Sequence, residues 1–155
     1  MTVSARDSIR VETPRHEGPP RGGRRRLVRP APPLDLLLAA PASRLTATYR
    51  MGLKLAGHHV THVSSARAAI DPTPPPHPAL AILDSDLPGA IDVLRTLRSD
   101  ENPGAVPVVV LEAGDAEELR EEAAGLTIAG WLPRRTTSPY ALARWLAAWA
   151  SRHPL

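Results

Sequence analysis

The chain has 155 residues, 43% of them hydrophobic, which suits one packed domain plus a tail. It has no Cys, which excludes disulfides and thiolate metal sites, and no Phe, so a core must come from Leu, Val, Ala and three Trp. The formal charge of +3 is unevenly spread: residues 1–33 hold eight Arg against three acids, a net of +5, and the rest carries −2.

Residues 1–33 are rich in Pro, Gly and Arg and nearly devoid of large apolar side chains. Such a segment cannot bury enough surface to offset the entropy of ordering, so a disordered tail is expected there, with the folded domain spanning 34–155. Gly22-Gly23-Arg24-Arg25-Arg26 has the chemistry to touch nucleic acid or acidic headgroups, yet short basic runs are weak evidence and a solvated arm is the favoured reading. The longest apolar runs fall far short of the roughly 20 residues that span a bilayer. No apolar stretch near Met1 makes a secretory signal, and the expectation is a cytoplasmic protein without membrane contact.

From Leu34 onward apolar runs alternate with helical patterns. Leu36-Leu37-Leu38-Ala39 reads as a strand buried on both faces. Leu45, Thr48, Gly52 and Leu55, with Met51 beside them, recur at helical spacing, which predicts a helix with that face inward, stopped by Gly57. His58–Val63 reads as a second strand and Ala66–Ile70 as a short helix, which the prolines of 72–78 forbid from continuing. Ala79–Leu83 is a third strand, Ile91, Leu94 and Leu97 mark a helix, and Val106–Leu111 is the clearest strand of all.

Asp115-Ala116-Glu117-Glu118 has the form of a capping box, opening a helix with Leu119, Ala123 and Leu126 inward. Ile128–Leu132 is a fifth strand. Ser138-Pro139 supplies an N-cap and a first-turn Pro for a last helix with the stripe Leu142, Trp145, Leu146 and Trp149. Five strand–helix units predict an α/β fold, a flavodoxin-like doubly wound five-stranded parallel sheet. In such a sheet the site lies at the C-terminal strand ends, here Ala39-Ala40, Asp84, Glu112 and Arg134.

These positions bring out a resemblance. Pro78-Ala-Leu-Ala-Ile-Leu-Asp84-Ser-Asp-Leu-Pro-Gly89 resembles the phosphoacceptor segment of response-regulator receiver domains. Val106-Pro-Val-Val-Val-Leu-Glu-Ala113 resembles their fourth strand and Gly130-Trp-Leu-Pro-Arg134 their fifth. The likeness covers about 120 residues with the element order intact. It implies Asp84 as the candidate phosphoacceptor and Asp86 as the position whose carbonyl reaches a metal. In the family, two acids after strand 1 complete a Mg²⁺ site, a Thr or Ser follows strand 4, and a Lys follows strand 5. These positions fall here on Ala39 and Ala40, on Glu112, and on Arg134. The switch aromatic falls on Trp131.

The departures change the expected chemistry. Mg²⁺ keeps several waters and needs one or two carboxylates beside the phosphate, so Asp84 and Asp86 alone are weak metal candidates. Glu112 would repel a phosphoryl group that Thr would have held. Arg134 keeps the charge of Lys with a different shape and reach. The favoured expectation is Arg134 paired with Asp84 or Glu112 in a permanent ion network, with no cofactor unless the Asp84 site still works with Mg²⁺.

The function expected is therefore a receiver-like signalling module of a two-component phosphorelay pathway, phosphorylation-independent and acting by protein contact. Its partner would be a histidine kinase or downstream effector. The surface implied by the resemblance is helix 4, strand 5 and helix 5, which also offers a homodimer contact. The chain stops just after helix 5, so direct transcription-factor activity would need another chain. Two alternatives are phosphorylation of Asp84 by a histidine kinase, and a nucleic-acid-associated module using the basic tail. An enzyme pairing Asp84 with Glu112 is disfavoured, because no nucleophile triad or Gly-rich phosphate cradle is present. His58, His59 and His62 read as exposed edge residues, since His58 and His62 are too far apart along a strand for one ion. Glu117, Glu118, Glu121 and Glu122 read as a solvated helix face.

Overall fold

The computed structural model describes residues 32–71, 77–98 and 105–154. The Arg-rich segment, the Pro run and Leu155 lie outside the described residues, as does nearly all of the tail expected over 1–33. The elements alternate as the sequence pattern requires: β1 (Asp35–Ala39), α1 (Arg44–Leu55), β2 (His59–Val63), α2 (Ala66–Ile70), β3 (Leu80–Asp84), α3 (Ala90–Leu97), β4 (Val108–Glu112), α4 (Glu117–Glu122), β5 (Gly130–Pro133) and α5 (Pro139–Arg152). All neighbouring strands pair in parallel, in the order β2-β1-β3-β4-β5.

Strand side chains alternate between the two faces, and this period of two splits the core. Leu36 and Leu38 of β1 and Leu80 and Ile82 of β3 pack with Tyr49 and Leu53 of α1 and with Leu142, Leu146 and Trp149 of α5. Ala39, Ala81, Leu83, Val108 and Val110 point the other way, against Ala69 of α2 and Val93, Leu94 and Leu97 of α3. The inner strands β1, β3 and β4 are covered on both sides, which is why they read as continuous apolar runs, whereas the edge strand β2 alternates.

Helix boundaries follow local chemistry. Ser43, Ser65 and Ser138 each accept a backbone N–H three residues on, capping α1, α2 and α5. Gly89 opens α3 in the left-handed region at φ 80°, which suits a residue without Cβ. Two glycines are fixed by packing. A Cβ on Gly52 would lie 2.5 Å from Pro139 Cβ, and one on Gly130 would lie 2.7 Å from the Trp145 ring. These close approaches seat α5 against α1 and β5.

Four expectations need correction. The buried face of α1 is Thr46, Tyr49 and Leu53, while Leu45, Met51 and Leu55 are exposed. Tyr49 and Leu53 reach farther into the core beside Leu36 and Leu38, and Gly52 turns toward Pro139 instead. His58 is not an exposed edge residue: it is buried, just before β2, and its Nδ1 accepts the Leu34 N–H at 3.1 Å. His62 is half-buried, its Nε2 2.9 Å from the Ala40 carbonyl oxygen. The capping box is only half made, because Asp115 accepts from Glu117 N–H, Ala116 is the N-cap, and the side chain of Glu118 closes nothing.

Burial lowers the His58 pKa, and the nearby His59 charge lowers it further. Only the neutral ring can accept the Leu34 N–H, so folding disfavours the protonated form. Its contribution to stability is complete above the ordinary His value of 6.5 and is lost as pH falls through the lowered folded-state value. Urea unfolding at pH 7.5 and pH 5 should show a larger loss in the native chain than in His58→Gln, whose carbonyl accepts without titrating. Gly52→Ala should lose about 1 kcal/mol net, because overpacking of roughly 1–3 kcal/mol exceeds the helix-propensity gain of about 1.

Candidate functional site

The strand order reverses direction of growth between β1 and β3, and the crevice outside their C-terminal ends is where sheets of this kind hold ligands. β1 ends on Ala39, and Ala40 follows it; both methyls are buried. β3 ends on Asp84, which is only 4% exposed. β4 ends on Glu112, and Arg134 follows β5, its N–H donating to the Glu112 carbonyl at 2.9 Å. The fold thus brings Ala39, Ala40, Asp84, Glu112 and Arg134 to one edge of the sheet.

Both oxygens of the Asp84 carboxylate accept a hydrogen bond. Its Oδ1 accepts the Asp86 N–H at 2.9 Å, and its Oδ2 accepts from Arg134 Nη1 at 2.8 Å. Arg134 Nη2 lies 3.2 Å from Asp86 Oδ2, so one guanidinium spans two carboxylates. Burial on its own would lower the Arg134 pKa, but the hydrogen bond and charge of Asp84, helped by Asp86, outweigh it and hold the group protonated. The planar five-donor fork of Arg suits this bridging, which a Lys ammonium could not match at both carboxylates.

Glu112 faces elsewhere. Its two oxygens meet Arg120 of α4, Nε at 3.0 Å from Oε2 and Nη2 on Oε1. The same guanidinium lies over the Trp131 ring, 5.1 Å from its centroid. Trp131 is half-buried and packs against the Ala39–Val110 side of the core. Asp84 and Glu112 are therefore held by different arginines and do not form a carboxylate pair.

Three further residues shape the crevice. Tyr49 of α1 is buried, and its hydroxyl lies within reach of the Arg134 and Thr137 carbonyls, at 3.1 and 2.5 Å. Burial raises its pKa; the Arg134 charge pulls the other way, and the Asp84 charge adds to the rise. Tyr49 thereby fixes the β5–α5 loop from below Arg134. Ser85 Oγ accepts the Ala113 N–H at 2.7 Å, tying the loop after β4 to the loop after β3. Arg120 of α4 is the third, through its hold on Glu112. Tyr49 was readable only through its phase with Thr46 and Leu53, and Ser85 only through its place beside Asp84. Arg120 carries no sequence signal beyond an exposed helix.

Among the described residues, no three His, Asp or Glu side chains converge to hold a metal ion. The donor chemistry of the crevice agrees: both acid positions after β1 are Ala, and both Asp84 oxygens already accept hydrogen bonds. These residues do not fit Mg²⁺.

No protein-family model matches the chain, and no curated protein matches it. Solved structures do. The receiver domain of a sensor histidine kinase from Pseudomonas aeruginosa, solved with magnesium in its active-site cleft, superposes with TM-score 0.65 at 22% identity, covering 77% of this chain and 99% of that one. A chemotaxis response regulator of Vibrio cholerae gives 0.61 at 19%, covering 75% and 98%. A CheY-like receiver domain from Methylobacillus flagellatus gives 0.62 at 18%, covering 76% and 99%. The chain has the receiver-domain fold. At these identities the likeness speaks for the fold, and the crevice has to be judged on its own side chains. Arg134, Asp84 and Asp86 form one ion cluster at the C-terminal edge of this chain's sheet. Among the described residues, no helix is long and apolar enough to cross a membrane.

Ser85→Ala would leave the Ala113 N–H without its acceptor. Loss of about 1–3 kcal/mol is expected, together with faster amide exchange at Ala113 and little change in the β1–β3 ladder, read by NMR. Tyr49→Phe should cost about 1 kcal/mol and loosen the loop 134–138 in the same measurement.

Proposed function

We propose that this chain is a receiver-fold signalling module of a two-component type pathway whose protein contacts do not depend on phosphorylation. The observation that carries the reading is the Arg134–Asp84 ion pair, 2.8 Å long, with Asp84 nearly closed from solvent. A phosphoacceptor needs a free carboxylate oxygen, a hard cation beside it and a donor that gathers the transferring group. Here each Asp84 oxygen already accepts a hydrogen bond, the two metal carboxylates are methyls, and Glu112 stands in place of a hydroxyl donor and is turned to Arg120.

The ion cluster supports a single standing conformation. Arg134 supplies a positive charge to Asp84 permanently, Ser85 holds the loop after β4, and Arg120 joins Glu112 to the face of Trp131. A module of this kind works by being recognised in one state rather than by switching. Its partner is a signalling protein, a kinase or effector. No Asp84–Glu112 pair exists for acid–base work, which supports a binding role over an enzymatic one. We place it in the cytoplasm, with no cofactor.

The test is an amide NMR titration with Mg²⁺ and then beryllofluoride, a phosphoryl mimic, alongside Asp84→Asn. The expected result is no response of Asp84, Glu112 or Trp131 at millimolar Mg²⁺ or with the mimic. Shifts there that vanish in Asp84→Asn would overturn the reading and make Asp84 a working phosphoacceptor. Arg134→Met should destabilise by up to about 3 kcal/mol, because it leaves a buried carboxylate without its partner. A double change, Arg134→Met with Asp84→Leu, should recover much of that loss in urea unfolding.

A further inference from the structure

Among the described residues, the large hydrophobic side chains that remain exposed are Leu45, Met51 and Leu55 on α1 and Tyr140 on α5. Leu55 is 83% exposed, Tyr140 72% and Met51 65%, values that packing within this domain does not explain. Arg44, Thr48, Met51 and Leu55 follow one another at intervals of four, three and four residues. They therefore share the face of α1 turned away from buried Thr46, Tyr49 and Leu53. Tyr140 and Arg144 are related in the same way on α5, with the Arg144 guanidinium carbon 5.9 Å from the Tyr140 ring centroid. The approach of Gly52 to Pro139 sets the two helices side by side.

The charges are one-sided. α1 carries Arg44, Arg50 and Lys54, and α5 carries Arg144 and Arg152; all five are exposed, and neither helix has an Asp or Glu. Among the described residues, none of these five cations lies within ion-pair distance of an acid. α4, which packs on the other side of the sheet, carries four Glu against one Arg. The domain thus has a basic side and an acidic side, and its exposed large apolar groups all lie on the basic one.

The combination selects an occupant. A second copy meeting this face with its own would set like charges together. Nucleic acid phosphates would meet the cations but leave Met51, Leu55 and Tyr140 in water. An anionic lipid surface satisfies both sets of groups. Headgroup phosphates meet the cations, whose long apolar stems lie along the interface, while the apolar tips enter the boundary between headgroups and acyl chains.

We propose that the α1–α5 face lies on anionic bilayer surfaces, anchored by Met51, Leu55 and Tyr140 and held by the five cations around them. This departs from the expectation of no membrane contact, which followed from the shortness of the apolar runs. Length decides whether a segment spans a bilayer, not whether a folded face rests on one. The proposal is independent of the state of the Asp84 crevice.

The experiment sediments the full chain with vesicles of phosphatidylglycerol and phosphatidylcholine. Vesicles of phosphatidylcholine alone and a duplex DNA are run in parallel. Binding to the mixed vesicles is expected, at least tenfold weaker on phosphatidylcholine alone and reduced by raised salt. Arg44→Gln, Arg50→Gln and Lys54→Gln should each weaken it about fivefold. Met51→Asp with Leu55→Asp should weaken it at least tenfold, and unchanged urea midpoints would show that these exposed substitutions spare the fold. In bicelles of the same lipids carrying a spin-labelled lipid, amide broadening should be confined to α1 and α5. Equal binding to both kinds of vesicle, tighter binding to the duplex, broadening centred on α4 and β5, or no vesicle binding would each overturn the proposal. Vesicle binding that survives the α1 variants would assign it to residues 1–33 and overturn the proposal as well.

Discussion

The Arg134–Asp84 ion pair organises the C-terminal edge of the sheet. Asp84 is the last residue of β3, flanked by β1 and β4, and its carboxylate would be a severe liability there without a counter-charge. Arg134 reaches it from the end of β5, across β4, and spans to Asp86 in the same stroke. Its backbone is held on both sides, the N–H by the Glu112 carbonyl and the carbonyl within reach of the Tyr49 hydroxyl. A long flexible side chain becomes a fixed part of the crevice because the main chain beneath it cannot move. α1, β3, β4 and β5 thereby meet at a single residue.

A second arginine does related work nearby. None of the residues of α4 is buried, so this helix rests on Ala116 and Ala123 at its ends, on half-buried Leu119, and on the Arg120 clamp. Arg120 is exposed, and salt screens its pair with Glu112, so the hydrogen bonds and the Trp131 face matter more than the charge. The contrast with Arg134 is one of burial. The same fork-to-carboxylate geometry is a structural constraint at Asp84 and a modest one at Glu112.

The fold was legible because its strands are short apolar runs and its helix ends carry Ser caps. Strand and helix order, the Ser138-Pro139 start of α5 and the position of Asp84 at a strand end all follow from local chemistry. The strand edges drifted by one or two residues, as with Val106 and Ile128, where apolar residues continue past the ladder. What local pattern could not supply was the partner of each charge. Arg134 had two candidate acids and took Asp84 with Asp86, while Glu112 turned to Arg120, eight residues along the chain and marked by no motif. His58 likewise gains its role from Leu34, on the neighbouring strand's leading edge.

The phase of α1 is the most instructive divergence. Two apolar stripes compete on one helix: Thr46, Tyr49 and Leu53, and Leu45, Thr48, Gly52 and Leu55. Periodicity alone favours the second, since it is longer and richer in Leu. The sheet selects the first, because Tyr49 must reach the Thr137 carbonyl and the underside of Arg134, and only one rotation of the helix allows that. Fixing Tyr49 inward turns Leu45, Met51 and Leu55 outward. The contact that secures Arg134 over Asp84 is therefore also the contact that leaves these three side chains exposed, and both follow from the same choice of helix rotation.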